Sequence, residues 1–201
     1  MKNIQLQTNF MILLFLISCV NEPCFDVADL DKKTEDIIEW FVDETIQNKT
    51  IVDTNGISET LETFDYFRTP QYSENSNEDD CGNSYGSWSS TIQYTTSLSR
   101  IHFSIDIRGQ ILDGFYLRLN ITNINNHKST TYDFVSKKSR ENNATITYID
   151  SVTVSSKEYL GVLEINFNEK TSINDVETVY YAKKYGIIKF KLKNGNIFEV
   201  V

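Results

Sequence analysis

The chain has 201 residues, 40% hydrophobic and 23% charged, a mix that can bury one core and excludes a disordered or collagen-like polymer. The formal net charge of −9 argues against nucleic acid as a partner by bulk electrostatics. Eleven tyrosines and 12 phenylalanines against 8 glycines and 2 prolines, with abundant Thr, Ile and Val, favour strands over helices.

Lys2 and the apolar run Phe10 to Ile17, "FMILLFLI", open the chain. Crossing a bilayer takes about 20 residues, so this run is too short to span and fits the core of a secretory signal. Leu16-Ile17-Ser18-Cys19 follows and resembles the lipobox of bacterial lipoproteins. The resemblance implies a signal peptide over 1–18, cleavage before Cys19, lipid on its thiol and an acylated amino terminus. It also implies export, with an anchor in the outer membrane more than the inner. An ordinary signal peptide with a cysteine near its cut is the competing reading. With Cys19 lipidated, Cys24 and Cys81 remain as an even pair, which an oxidising compartment would let bond. Closing that loop contributes on the order of 4 kcal/mol in the chain-entropy treatment. Two unpaired thiols are the alternative.

Residues 19–81 form an acidic front part: 17 acids and 4 bases lie between Val20 and Cys81, against 11 and 14 from Gly82 onward. Asp31 to Lys49 reads as an amphipathic helix, with Ile37, Ile38, Phe41 and Ile46 at helical spacing. The competing reading is a strand at "IIEWFV". Ile57 to Phe67 also reads as helical, because Ile57, Leu61 and Phe64 fall at i, i+4 and i+7 before Pro70. Gln71 to Ser87 reads as a solvated loop. A calcium loop starting at Asn77 fails, since Cys81 replaces an oxygen ligand and Trp88 stands where Glu is required.

Residues 82–201 read as an antiparallel β-rich domain. "RIHFSIDIRG" alternates Ile101, Phe103, Ile105 and Ile107 with polar residues, and "GFYLRLNIT" does the same with Phe115, Leu117, Leu119 and Ile121. A hairpin pairing Ile105 with Leu117 keeps both apolar rows on one face. Further strands are expected at Thr130–Val135, Ala144–Tyr148, Val152–Ser155, Tyr159–Phe167 and Val176–Ala182. In "GIIKFKLKNGNIFEVV" a three-residue loop with Asn196 left-handed sets Leu192 against Phe198 and Lys191 against Glu199. The expected fold is mainly β: an antiparallel sheet, sandwich or incomplete barrel with one or two helical segments in the N-terminal part.

Tyr180, Tyr181, Ala182, Lys183, Gly186, Ile187 and Ile188 make a Tyr-rich strand, a Lys–Gly corner and a returning strand. This part is similar to the C-terminal region of many small Gram-negative lipoproteins. That family brings no activity to carry over; it implies export and β architecture. No nucleophile elbow, phosphate loop, dinucleotide fingerprint or zinc helix occurs. His102 lies on the polar face of its strand with only generic serines as partners. Asn48, Asn120 and Asn143 match an N-x-Thr acceptor pattern that matters only in a eukaryotic secreted chain. Lys183, Lys184, Lys189, Lys191 and Lys193 form a candidate basic contact face, with the guarding of a sheet edge as the plainer role.

The expected function is therefore a non-enzymatic lipoprotein needing no metal or cofactor, held to a membrane by its lipid. It would present a binding module to a protein, glycan or lipid partner, as an inhibitor or immunity-type protein does. The alternative is a lipid carrier or chaperone whose open apolar groove is lined by Phe103, Ile105, Leu117 and Leu119.

Overall fold

The computed structural model describes residues 37–43, 48–68, 77–78, 84–85, 88–110, 114–124, 126–168, 172 and 174–201. Cys19, Cys24 and Cys81 lie outside them. The strands in chain order are β1 (Lys49–Asp53), β2 (Ser58–Arg68), β3 (Asn77–Glu78), β4 (Ser84–Tyr85), β5 (Trp88–Thr96), β6 (His102–Gln110) and β7 (Gly114–Asn123). They continue with β8 (Asn126–Asp133), β9 (Lys138–Ser139), β10 (Ala144–Val154), β11 (Lys157–Phe167), β12 (Val176–Ala182), β13 (Gly186–Leu192) and β14 (Ile197–Val200).

Twelve of these strands make one sheet in the order β10-β11-β12-β13-β14-β1-β2-β5-β6-β7-β8-β9, while β3 and β4 pair separately. Every neighbour in the large sheet is antiparallel, and every neighbour pair but β14–β1 joins strands that follow one another in that sheet, β3 and β4 intervening only between β2 and β5. The exception joins two meanders, one from β1 to β9 and one from β10 to β14, edge to edge: Ile51 faces Val200, Val52 faces Glu199 and Asp53 faces Phe198. The joined sheet is a nearly closed barrel whose two edges, β9 and β10, stay unpaired. Of the architectures expected, the incomplete barrel is the one formed.

Two expectations for the front part are corrected. Ile57 to Phe67 is not a helix; it is extended within β2, paired with β1 on one side and β5 on the other. Its i, i+4, i+7 match is outweighed by a period-two row, in which Glu59 and Leu61 are buried while Ser58 and Glu62 are exposed. The Asp31–Lys49 helix is also reduced among the described residues. Only Ile37 and Ile38 are helical, and Lys49 already belongs to β1. Ile37, Trp40, Phe41 and Val42 are all buried, so this segment is packed on several sides rather than on one helical stripe.

Both hairpin registers differ from expectation by two residues, and both keep the expected faces. Ile105 faces Leu119 and Ile107 faces Leu117, so Asp106 stands directly opposite Arg118. In the last hairpin Phe190 faces Phe198 and Lys189 faces Glu199. Its left-handed residue is Gly195 rather than Asn196. A shift of two preserves the pleat, so face agreement alone does not choose between these registers.

The barrel interior is filled. Tyr94, Phe103, Ile105, Leu163, Ile165, Val179 and Phe190 are 0% exposed. Phe190 lies 5.2 Å from the Phe103 ring and stacks 4.6 Å from Phe198. A second, smaller cluster of Val154, Tyr159, Val162, Ala182 and Ile188 is separate from it. Phe190→Ala is expected to cost about 3–5 kcal/mol in denaturant unfolding. Leu160→Ala, at a side chain 66% exposed, should stay within about 0.5 kcal/mol.

Candidate functional site

β10 and β9 are the two ends of the sheet, and the chain runs directly from one to the other. Side chains bridge this seam where the backbone ladder stops. The Asn143 amide donates to Ser129 O at 2.7 Å, and the Thr131 N–H donates to Glu141 Oε2 at 2.6 Å. Further along, segment 37–43 seals the seam. Lys184 N–H donates to Glu39 O at 3.0 Å and Asp43 N–H to Lys184 O at 2.8 Å. The Tyr181 hydroxyl donates to Trp40 O at 2.8 Å. Trp40 then stands 5.4 Å from the Phe134 ring and 6.3 Å from that of Tyr148, on opposite sides of the seam.

Beneath this bridge lies a cavity of about 510 Å³. Its walls are Trp40, Phe115, Tyr132, Phe134 and Tyr148, joined by Ile37 and Val135. Lys137 and Lys183 supply its charge. The Lys183 ammonium sits 5.4 Å from the Trp40 ring and 2.7 Å from Glu39, whose carboxyl that bond holds below its ordinary range. Burial, followed by Tyr148 and Asp133, pushes the Tyr132 phenol up, so it stays neutral in the cavity wall. A volume of this size, apolar walls and a few polar groups are what a small-molecule site requires.

The lysine row is dispersed. Lys189 pairs with Glu199 at 2.8 Å and Lys191 with Glu177 at 2.7 Å, while Lys184 is exposed in the β12–β13 turn. Lys193 is half-buried at the opposite end of β13, and its N–H donates to Asp175 O. Lys183 alone of the five lines the seam cavity. Phe103, Ile105, Leu117 and Leu119 are packed in the core and line neither cavity described here. His102 is half-buried on β6, and burial lowers its pKa. Among the described residues no group of three or more His, Cys, Asp or Glu side chains could hold a metal ion.

One group invisible to the sequence reading is Lys49, assigned there to the end of a helix. It is 6% exposed, and its ammonium donates to Tyr185 O and, at 2.9 Å, to Ile187 O. Gly186 lies between those two carbonyls at φ +70°. A Cβ there would come within 2.6 Å of the Tyr94 hydroxyl and 2.9 Å of Val42, so the corner needs glycine for conformation and for space. Lys49 also lines a cavity of about 200 Å³ with Val154, Ser155, Lys157, Tyr159 and Tyr185. Burial and the charge of Lys157 bring its amine down to about 7.

No family model matches the chain, and no curated protein or solved structure is significantly similar to it.

The Lys49 amine gives a signed prediction. The folded chain gives up this proton near pH 7, while the unfolded chain holds it to about 10.5. Between those limits the unfolded state binds more protons, so stability rises with pH, by up to about 1.4 kcal/mol per unit. Urea unfolding in chloride buffer from pH 7 to 9 should show the rise, and Lys49→Met should flatten it.

Proposed function

We propose that the chain is an exported, lipid-anchored, non-enzymatic binding module that holds an apolar small molecule of the lipid class. The reading rests on the seam cavity: five aromatic rings around a volume of about 510 Å³, with two lysines among the walls. Aromatic and aliphatic walls suit an acyl or fused-ring body, and Lys137 and Lys183 suit an anionic end. Tyr148 is 47% exposed on the outermost strand, so the cavity has a route to solvent beside the seam. The anchor follows from the lipobox resemblance at Cys19, which would place the module beside a supply of such ligands.

Protein extracted from native membranes tests both parts. Its intact mass should match a chain starting at Cys19 with acyl chains attached; an unmodified amino terminus contradicts the anchor. The chain has two tryptophans, so Trp88→Phe leaves Trp40 as the sole reporter in the cavity wall. Oleate below its micelle concentration should then change Trp40 emission saturably, at one molecule per chain. Tyr148→Asp should weaken binding about tenfold or more by placing a charge in the wall. A non-saturating response, or no effect of Tyr148→Asp, contradicts the binding role.

A further inference from the structure

The smaller cavity brings two lysines together without an acidic side chain. The tip of the β10–β11 hairpin lies there against β13, β14 and β1, so Val154, Ser155, Lys157 and Tyr159 meet Lys49, Ile188, Val200 and Val201. Two of the three N–H donors of the Lys49 ammonium go to Tyr185 O and Ile187 O, which leaves one for the cavity. Lys157 is held by rings: its Nζ lies 4.2 Å from the Tyr185 centroid and 5.0 Å from that of Tyr159. Among the described residues, no carboxylate is ion-paired with either lysine and no acidic side chain lines the cavity; the one carboxylate in its lining is the main-chain group of Val201, a residue 64% exposed at the rim.

Two like charges at a half-closed site repel one another, and neither is ion-paired among the described residues. One group of opposite sign with several acceptor oxygens removes both costs. The volume of about 200 Å³ lies below the roughly 300–1,000 Å³ usual for whole small-molecule ligands, which favours a single compact group. We propose that this cavity is an oxyanion site, in which one tetrahedral oxyanion of the phosphate class seats between Lys49 and Lys157 and accepts hydrogen bonds from both. The Ser155 hydroxyl is a third donor lining the same space. A free phosphate and the phosphate of a lipid headgroup share this chemistry.

The titratable groups around Lys49 are Lys157 and Tyr159 from β11, Tyr94 from β5, Tyr185 from the β12–β13 turn and, at the rim, the main-chain carboxylate of Val201. Burial, followed by Tyr185, raises the Tyr159 phenol, so it remains a neutral donor. A bound anion favours the charged amine, so binding must raise the pH at which Lys49 titrates and must weaken as pH rises through that point.

Sulfate is the first probe, since it does not itself titrate near neutrality. The Lys49 side-chain resonance, assigned from the Lys49→Met spectrum, is followed against pH in sulfate and in chloride at equal ionic strength. Its midpoint should rise by at least about one pH unit in sulfate. Lys157→Gln, on an exposed residue that folding does not require, should weaken sulfate binding about tenfold, the equivalent of one charge-assisted hydrogen bond. Lys137→Gln, in the other cavity, should leave it unchanged. Inorganic phosphate and phosphatidylglycerol vesicles then separate the sources. A shift from phosphate alone assigns a free oxyanion, and a shift from vesicles as well assigns a site open to headgroups. An unmoved midpoint in every arm, or full sulfate affinity in Lys157→Gln, overturns the proposal.

Discussion

The structure depends on the pairing of its first long-sheet strand with its last. β1 and β14 bond antiparallel across nearly the whole described chain, and every other pairing in the large sheet joins strands that follow one another in it, with only β3 and β4 intervening between β2 and β5. A meander left open would expose one apolar face from Ile92 to Phe198 to water. Curled, it buries that face against itself, and Phe103, Phe190 and Phe198 meet in the middle. The same pairing sets Lys49, at the start of β1, beside the Gly186 corner, where the chain offers two backbone carbonyls.

Closure stops one ladder short, and the remaining gap creates the candidate site. β10 carries a largely exposed row of residues, and the seam is bridged to β8 by the Glu141 and Asn143 side chains of the segment just before it. Trp40 covers the gap from a segment that belongs to no strand. The result is a cavity at the edge of a solid interior, in contrast to barrels that hold a ligand along their axis.

Legibility in the sequence followed the range of the interactions. β6 and β7 were readable because alternating apolar residues report a half-buried strand directly. Registers were readable only to within a shift of two, because the pleat fixes parity and the turn fixes the rest. β5 carried little signal: its inward row is Ser90, Ile92, Tyr94 and Thr96, only one of them aliphatic. β2 was misread because three apolar residues happened to fall at helical spacing. The site was not legible, since its walls come from Trp40, Phe115, Phe134 and Tyr148, on separate segments that only the closed barrel brings together. Lys49 was hidden for the same reason: nothing local marks a lysine whose partners lie about 140 residues away.

The most direct test of this account is the β1–β14 ladder itself, read by nuclear Overhauser contacts and amide exchange in solution. Backbone contacts linking Ile51 to Val200, Val52 to Glu199 and Asp53 to Phe198, with slowed exchange along both strands, are the predicted result. Fast exchange throughout β1 with no contact to β14 would mean two separate sheets, and the shared core, the seam and both cavities would fall with the ladder.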